Sequence, residues 1–289
     1  MANRKLKGFI ATFSAFMAWG VLVIYWSGLF HLPPPVIVAY RVLFSFLFVT
    51  LIISFSGKWS AVLAVLKSRE TLGLSVIAGI LIGLNWTVYI IAIANERMLE
   101  ASMGYYINPF VVAVFGMIFF KEIPSKLQKI ALFVALTGVV YMIAGYGQIP
   151  VYAIVLSVSF ACYGAVHKRL KISIYEGMFF EMAVLILPAL IVLWLLHPGF
   201  MTEPLIVKVL ILFSGPVTIL PLVGFAYGVQ RLNLTTVGIV QYASPTATFL
   251  LGLFYFHEPA RPGLFIVFSF IWVGVLIYLA DAFLKNRGK

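Results

Sequence analysis

Apolar runs of about 20 residues recur along nearly the whole chain, broken only by short turns. That is the length an α-helix needs to cross the roughly 30 Å of hydrocarbon in a bilayer. Only 10% of the 289 residues are charged and 63% are hydrophobic, whereas a soluble domain carries roughly 25% charged residues. So little polar surface cannot cover a water-soluble globule, so the solvent is lipid. The runs do not alternate polar with apolar, which excludes a membrane β-barrel. The expected fold is therefore an all-α integral membrane protein with ten transmembrane helices. They are placed at about 8–30, 36–56, 72–94, 101–120, 127–145, 150–167, 175–196, 207–229, 236–256 and 263–284. Turns such as His31-Leu32-Pro33-Pro34, 145–148 and His197-Pro198-Gly199 separate them, and 57–71 has room for a short interfacial helix. The first run, Gly8 to Phe30, exceeds the ~7–15 residue core of a cleavable leader and is read as a retained helix. Cys162 is the only cysteine, so no internal disulfide forms.

The net charge of +11 raises the question of nucleic acid, and its distribution answers it. With the N-terminus placed inside, sixteen of the 20 Lys and Arg fall in inner segments. Arg97, Lys208 and Arg261 fall in outer ones, and Arg41 lies within a helix. Such a bias sets orientation. Both termini are expected in the cytoplasm, with the lipid bilayer as partner and no nucleic acid; the excess positive charge attracts anionic lipid.

The chain also resembles itself. Shifted so that Tyr106 meets Tyr242, Pro109 meets Pro245, Gly116 meets Gly252, Glu122 meets Glu258 and Gly138 meets Gly274. These matches relate helices 4 and 5 to 9 and 10. Ala18-Trp19-Gly20 and Cys162-Tyr163-Gly164 relate helices 1 and 6. Two units follow, 1–148 and 149–289, each of five helices. Because five is odd, the second enters the membrane inverted, the architecture of secondary transporters.

Asn85-Trp86, the runs 99–109 (LEASMGYYINP), 159–170 (SFACYGAVHKRL), 179–188 (FFEMAVLILP), 241–246 (QYASPT) and 270–283 (FIWVGVLIYLADAF) carry a resemblance to a known family. Nearly end to end, the chain resembles the RarD family, in the EamA branch of the drug/metabolite transporter superfamily. The resemblance implies two EamA repeats, a bacterial inner-membrane location and a permease exporting small molecules. It also implies a central cavity enclosed by helices 1–4 and 6–9, with 5 and 10 peripheral. The family's chloramphenicol label is a weak guide to the natural substrate.

Two charges stand inside helices. Arg41 cannot shed its proton, and Glu181 is the acidic residue well within an apolar run. Both should face the protein interior, because exposure to lipid is costly. A shift of 140 sets them opposite each other in helices 2 and 7, roughly 15 Å apart in depth. Either each is satisfied locally, or they are the poles of a polar passage. In the second case Arg41 holds an anionic or carbonyl-bearing part of a small-molecule substrate, and Glu181 holds an amine or carries a coupling proton. Further lining candidates are Asn85, Trp86 and Tyr89 on helix 3, Asn108 before Pro109, and Gln241 and Tyr242 before Pro245. Membrane prolines free a carbonyl one turn earlier, which polar groups must satisfy; the competing role of these amides is to bind helices together. Trp19 and Tyr163 occupy matching places and are read as packing or cavity wall. Gly79 and Gly83 suggest a close helix crossing. Pro216 and Pro221 suggest a kink or break in helix 8. Glu122 and Glu258 are expected to cap the helices that follow them.

An enzyme needs a clustered nucleophile, base or metal site. His31, His167, His197 and His257 lie at helix ends or loops without ligand spacing, and there is no GxxxxGK[ST] loop for ATP. No catalytic residue, metal or cofactor is assigned. A passive channel is the other alternative, but no filter-like segment is evident.

Overall fold

The computed structural model describes residues 2–196, 199–257 and 262–287. The elements are α1 (Ala2–Val21), α2 (Val23–Ser27), α3 (Pro34–Phe55), α4 (Trp59–Lys67), α5 (Arg69–Ala94), α6 (Met98–Phe120) and α7 (Lys126–Tyr146). They continue with α8 (Val151–Arg169), α9 (Ile174–Leu196), a 3-10 turn (Phe200–Thr202), α10 (Leu205–Val229), α11 (Leu234–Gln241), α12 (Ala243–Phe254) and α13 (Pro262–Arg287). Ten spans result among the described residues: α1 with α2, then α3, α5, α6, α7, α8, α9, α10, α11 with α12, and α13. In lipid every backbone amide must be satisfied within its segment, which is why the apolar runs become helices. Between 22% and 50% of each span's most apolar stretch is buried, so at least half of each stays partly or fully accessible. The chain is a multi-pass membrane protein, and an even number of spans leaves both termini on one face, called here the terminal face.

Local chemistry sets the ends. Pro34 and Pro35 open α3, where a missing N–H costs nothing. Ser68 caps α5 by accepting from Thr71 N. Ser125 and Gln128 form a reciprocal capping box at α7. Gly147, at φ 76°, stops α7 in a left-handed conformation. The interfacial helix expected within 57–71 is α4. Pro245 cannot donate to the carbonyl of Gln241, and the ninth span breaks there into α11 and α12. In the eighth span, where a kink or break was expected, α10 runs through Pro216 and Pro221 as one continuous helix, so no break occurs.

Neighbouring spans close into a ring in the order α1, α10, α3, α9, α5, α8, α6, α11–α12 and back to α1. Helices from before and after residue 148 alternate all the way round. Exchanging each span with the one five places later maps the ring onto itself. The α7 and α13 helices pack on each other, outside the ring. Two glycine contacts show how tightly the ring is drawn. A Cβ at Gly79 would fall 2.7 Å from the carbonyl oxygen of Glu181, and one at Gly83 would collide with Leu185, so α5 and α9 cross at van der Waals distance. Inside the ring, Phe16 and Trp19 from α1, Phe160 and Tyr163 from α8 and Phe225 from α10 meet in one aromatic cluster.

Candidate functional site

Arg41 points into the ring. Its guanidinium lies over two indoles, 4.7 Å from the ring centre of Trp26 and 4.5 Å from that of Trp86. The break between α1 and α2 delivers Trp26, and α5 delivers Trp86. The Nε–H donates to Thr218 Oγ1 of α10 at 3.2 Å. The phenols of Tyr105 and Tyr89 are near enough to feel its charge, and their rings meet edge to face at 6.2 Å. Tyr105 keeps 47% of its surface accessible. Arg41 is thus held by spans from both sides of residue 148, and does not reach out to the membrane surface.

Glu181 is fully buried. Tyr163 OH donates to its Oε2 at 2.9 Å, and His167 Nε2 lies 3.0 Å from its Oε1. Tyr163 and His167 are four residues apart on α8 and so share a face; their rings sit 4.5 Å apart. The imidazole approaches the carboxylate off the line of an ideal hydrogen bond, leaving Glu181 Oε1 and both ring nitrogens without a well-aligned partner. This is a titratable pair in an apolar setting, with one phenol attached. The aromatic cluster links it to Trp19, whose ring lies 6.0 Å from Phe225.

The two charges do not pair with each other: among the described residues the ion pairs are His31–Glu203, His167–Glu181 and Lys168–Glu122. The structure thus assembles Arg41, Trp86 and Tyr89 at one pole, and Glu181 and Tyr163 at the other. Asn85 belongs to neither. Its Nδ2 donates to Leu156 O at 2.8 Å and Ser159 Oγ at 2.9 Å, fastening α5 to α8, which is the helix-binding role. Asn108, Gln241 and Tyr242 are buried where α6 crosses α11. Tyr242 OH donates to Tyr106 O, while the carbonyl oxygens of the Asn108 and Gln241 side chains have no hydrogen-bond partner among the described residues.

Three participants were not anticipated. His167 is four residues from Tyr163, a spacing that pointed to it. Trp26 and Thr218 reach Arg41 only through the tertiary arrangement. Glu122 also departs from expectation. Ser125 caps the following helix, and Lys121 at φ 52° turns the chain so that Glu122 reaches across to α11. Its carboxylate accepts from Leu234 N at 2.7 Å, Thr235 N at 3.0 Å and Thr235 Oγ1 at 3.1 Å, and pairs with Lys168 Nζ at 3.2 Å. Its repeat counterpart, Glu258, lies outside the described residues, as do His197 and Arg261. A cleft of about 230 Å³ lies between α4 and the starts of α5 and α9, lined by Ser68, Thr71, Ser173 and Glu176.

Comparison with known proteins adds a family. Residues 6–144 match the EamA-like transporter family. The chain is 33% identical to the protein RarD of Escherichia coli, over 99% of this chain and 98% of that one. It is 39% identical to the uncharacterized transporter YojE of Bacillus subtilis, over 94% and 93%. A solved crystal structure superposes with a TM-score of 0.73 at 17% identity, covering 93% of this chain and 96% of its own, which supports the fold alone.

Proposed function

The chain belongs to the EamA-like transporter family, in its RarD group, and from that membership we propose a secondary carrier that exports small amphipathic molecules by alternating access. Its units are the inverted repeats 1–148 and 149–289, and its site is the interior of the eight-span ring. The carrying observation is that each polar pole is built by spans from both units: Arg41 by α2, α3, α5 and α10, Glu181 by α8 and α9 against α5. Relative motion of the units therefore remakes the site, which is what alternating access requires. In the conformer described, the aromatic cluster of Trp19, Phe160, Tyr163 and Phe225 fills the ring toward the terminal face, and Arg41 stands toward the other.

The protein is proposed to sit in the bacterial inner membrane with both termini in the cytoplasm, supported by the sixteen-to-three distribution of Lys and Arg. The Glu181–His167 pair is proposed to exchange the coupling proton. It is buried, polar and reached by a phenol, and a membrane-embedded ionisable group that is not merely structural is commonly a proton relay.

The test is counterflow. Purified protein in liposomes, given a radiolabelled compound selected by a thermal-shift screen of metabolites and drugs, should show saturable exchange against the unlabelled compound. Arg41→Ala should insert and fold but lose exchange. Linear, non-saturating flux would make the protein a channel, and normal exchange in Arg41→Ala would reduce that residue to a structural role.

A further inference from the structure

The surroundings of Arg41 leave part of its chemistry unused. The rings of Trp26 and Trp86 pack against the guanidinium, 4.7 and 4.5 Å from its central carbon, and Thr218 takes the Nε–H. Among the described residues no side chain or carbonyl accepts from either Nη, and no carboxylate lies within ion-pair distance. What remains is the outer edge of the fork, where two N–H groups point the same way. That edge fits a carboxylate bidentately.

We propose that Arg41 binds the carboxylate of a small organic acid, whose apolar body lies against Tyr89 and Tyr105. This deepens the carrier assignment and rests on it for the claim that the acid is cargo. Charge decides between an acid and a neutral carbonyl. An amide or ketone oxygen could accept from the same edge, but would leave a permanent cation uncompensated among apolar helices. Thr218 is neutral, and the aromatic faces offer only a quadrupole. A monoanion removes the deficit. Two observations locate its body. Tyr105 keeps 47% of its surface accessible, and Tyr89 meets it edge to face at 6.2 Å, so the pair offers an aromatic surface that a bound molecule can touch. Depth argues against a lipid phosphate. Arg41 is seven residues into α3, about 10 Å below the helix end, and is walled by α2, α5 and α10.

The full-length protein in neutral detergent provides the test, because Trp26 and Trp86 report on Arg41 through their fluorescence. Matched pairs are titrated: benzoate with benzamide, phenylacetate with phenylacetamide, hexanoate with hexanamide. At least one acid should quench saturably, and bind about 10- to 100-fold more tightly than its amide, the ratio that a hydrogen bond to a charged group supplies. Arg41→Gln should abolish that difference. Should Arg41→Gln not fold, the wild-type acid-to-amide ratio still decides the matter. Equal binding within every pair overturns the proposal. So does displacement of the acid by inorganic phosphate or by phosphatidylglycerol in mixed micelles at equal concentration, which would make the occupant an inorganic ion or a lipid. Because binding is read without transport, an acid that binds but shows no counterflow upholds the site and refutes the carrier assignment.

Discussion

His167 Nε2 lies 3.0 Å from Glu181 Oε1 with both side chains out of contact with solvent. These are the two groups proposed above to exchange the coupling proton. Because Tyr163 OH already donates to the other carboxylate oxygen, the pair's protonation changes the hydrogen bonding of α8 against α9. Glu181→Gln keeps the shape and removes the exchangeable proton. Transport should then lose its stimulation by an imposed proton gradient. Flux in proteoliposomes that still rises with the gradient in this variant would remove Glu181 from coupling. His167→Leu leaves the carboxylate without its neighbour; where the pair is ionised, that loss is worth about 3–5 kcal/mol, read as a lowered unfolding midpoint in detergent.

Thr218→Val replaces the acceptor for Arg41 Nε–H with a methyl group of similar volume. A hydrogen bond to a charged group contributes about 1.5–3 kcal/mol. The guanidinium should turn more freely between its two indoles, so ligand affinity should fall by an amount in that range while insertion is unchanged. Isothermal titration with the tightest ligand from the thermal-shift screen checks this; an unaltered Kd would mean that the indoles alone orient Arg41.

Gly79→Leu drives a side chain into the backbone of Glu181. Overpacking of this kind costs about 1–3 kcal/mol, and here it displaces the Glu181 carboxylate as well. The variant should melt earlier and lose transport together, whereas Gly73→Leu, at a position where a Cβ meets nothing within 4 Å, should do neither. Thermal unfolding followed by scattering distinguishes them.

Glu122→Ala strips the cap from α11 and the partner from Lys168. A lost N-cap costs about 0.5–2 kcal/mol. On a background with Cys162→Ser, a cysteine placed at Thr235 should become more reactive to a membrane-impermeant maleimide added from the terminal face. Unchanged labelling would show that the cap does not hold that end of the ring.

Much of this molecule was legible before any coordinates. Lipid forces long apolar runs to be helices, so the spans followed from length alone, and α4 from the room left within 57–71. Arg41 and Glu181 stood out because a charge among apolar residues is conspicuous. Gly79 and Gly83 were readable because only small side chains permit a close crossing. What was not legible depends on which helices become neighbours. Asn85 reads equally well as lining or as fastening until α8 is seen beside α5. Thr218 looks like any membrane threonine until α10 lies against α3. Glu122 was expected to serve the helix next in sequence, and it serves one more than a hundred residues away because Lys121 turns the chain. Pro216 and Pro221 suggested a kink or break, and α10 passes through both without a break.

The grip of Glu122 has a mechanical consequence. By holding the first turn of α11 and the lysine at the end of α8, it rivets three consecutive members of the ring, α8, α6 and α11, into one arc at the terminal face. A closed ring fastened along one arc parts along another. Diametrically across, α3 and α9 meet through the tilted rings of Phe46 and Phe179, 5.2 Å apart, with Trp59 of α4 edge-on to the same phenylalanine, contacts that slide without stranding a polar group. In the carrier proposed above, the riveted arc would serve as the hinge and the apolar seam between α3 and α9 as the door.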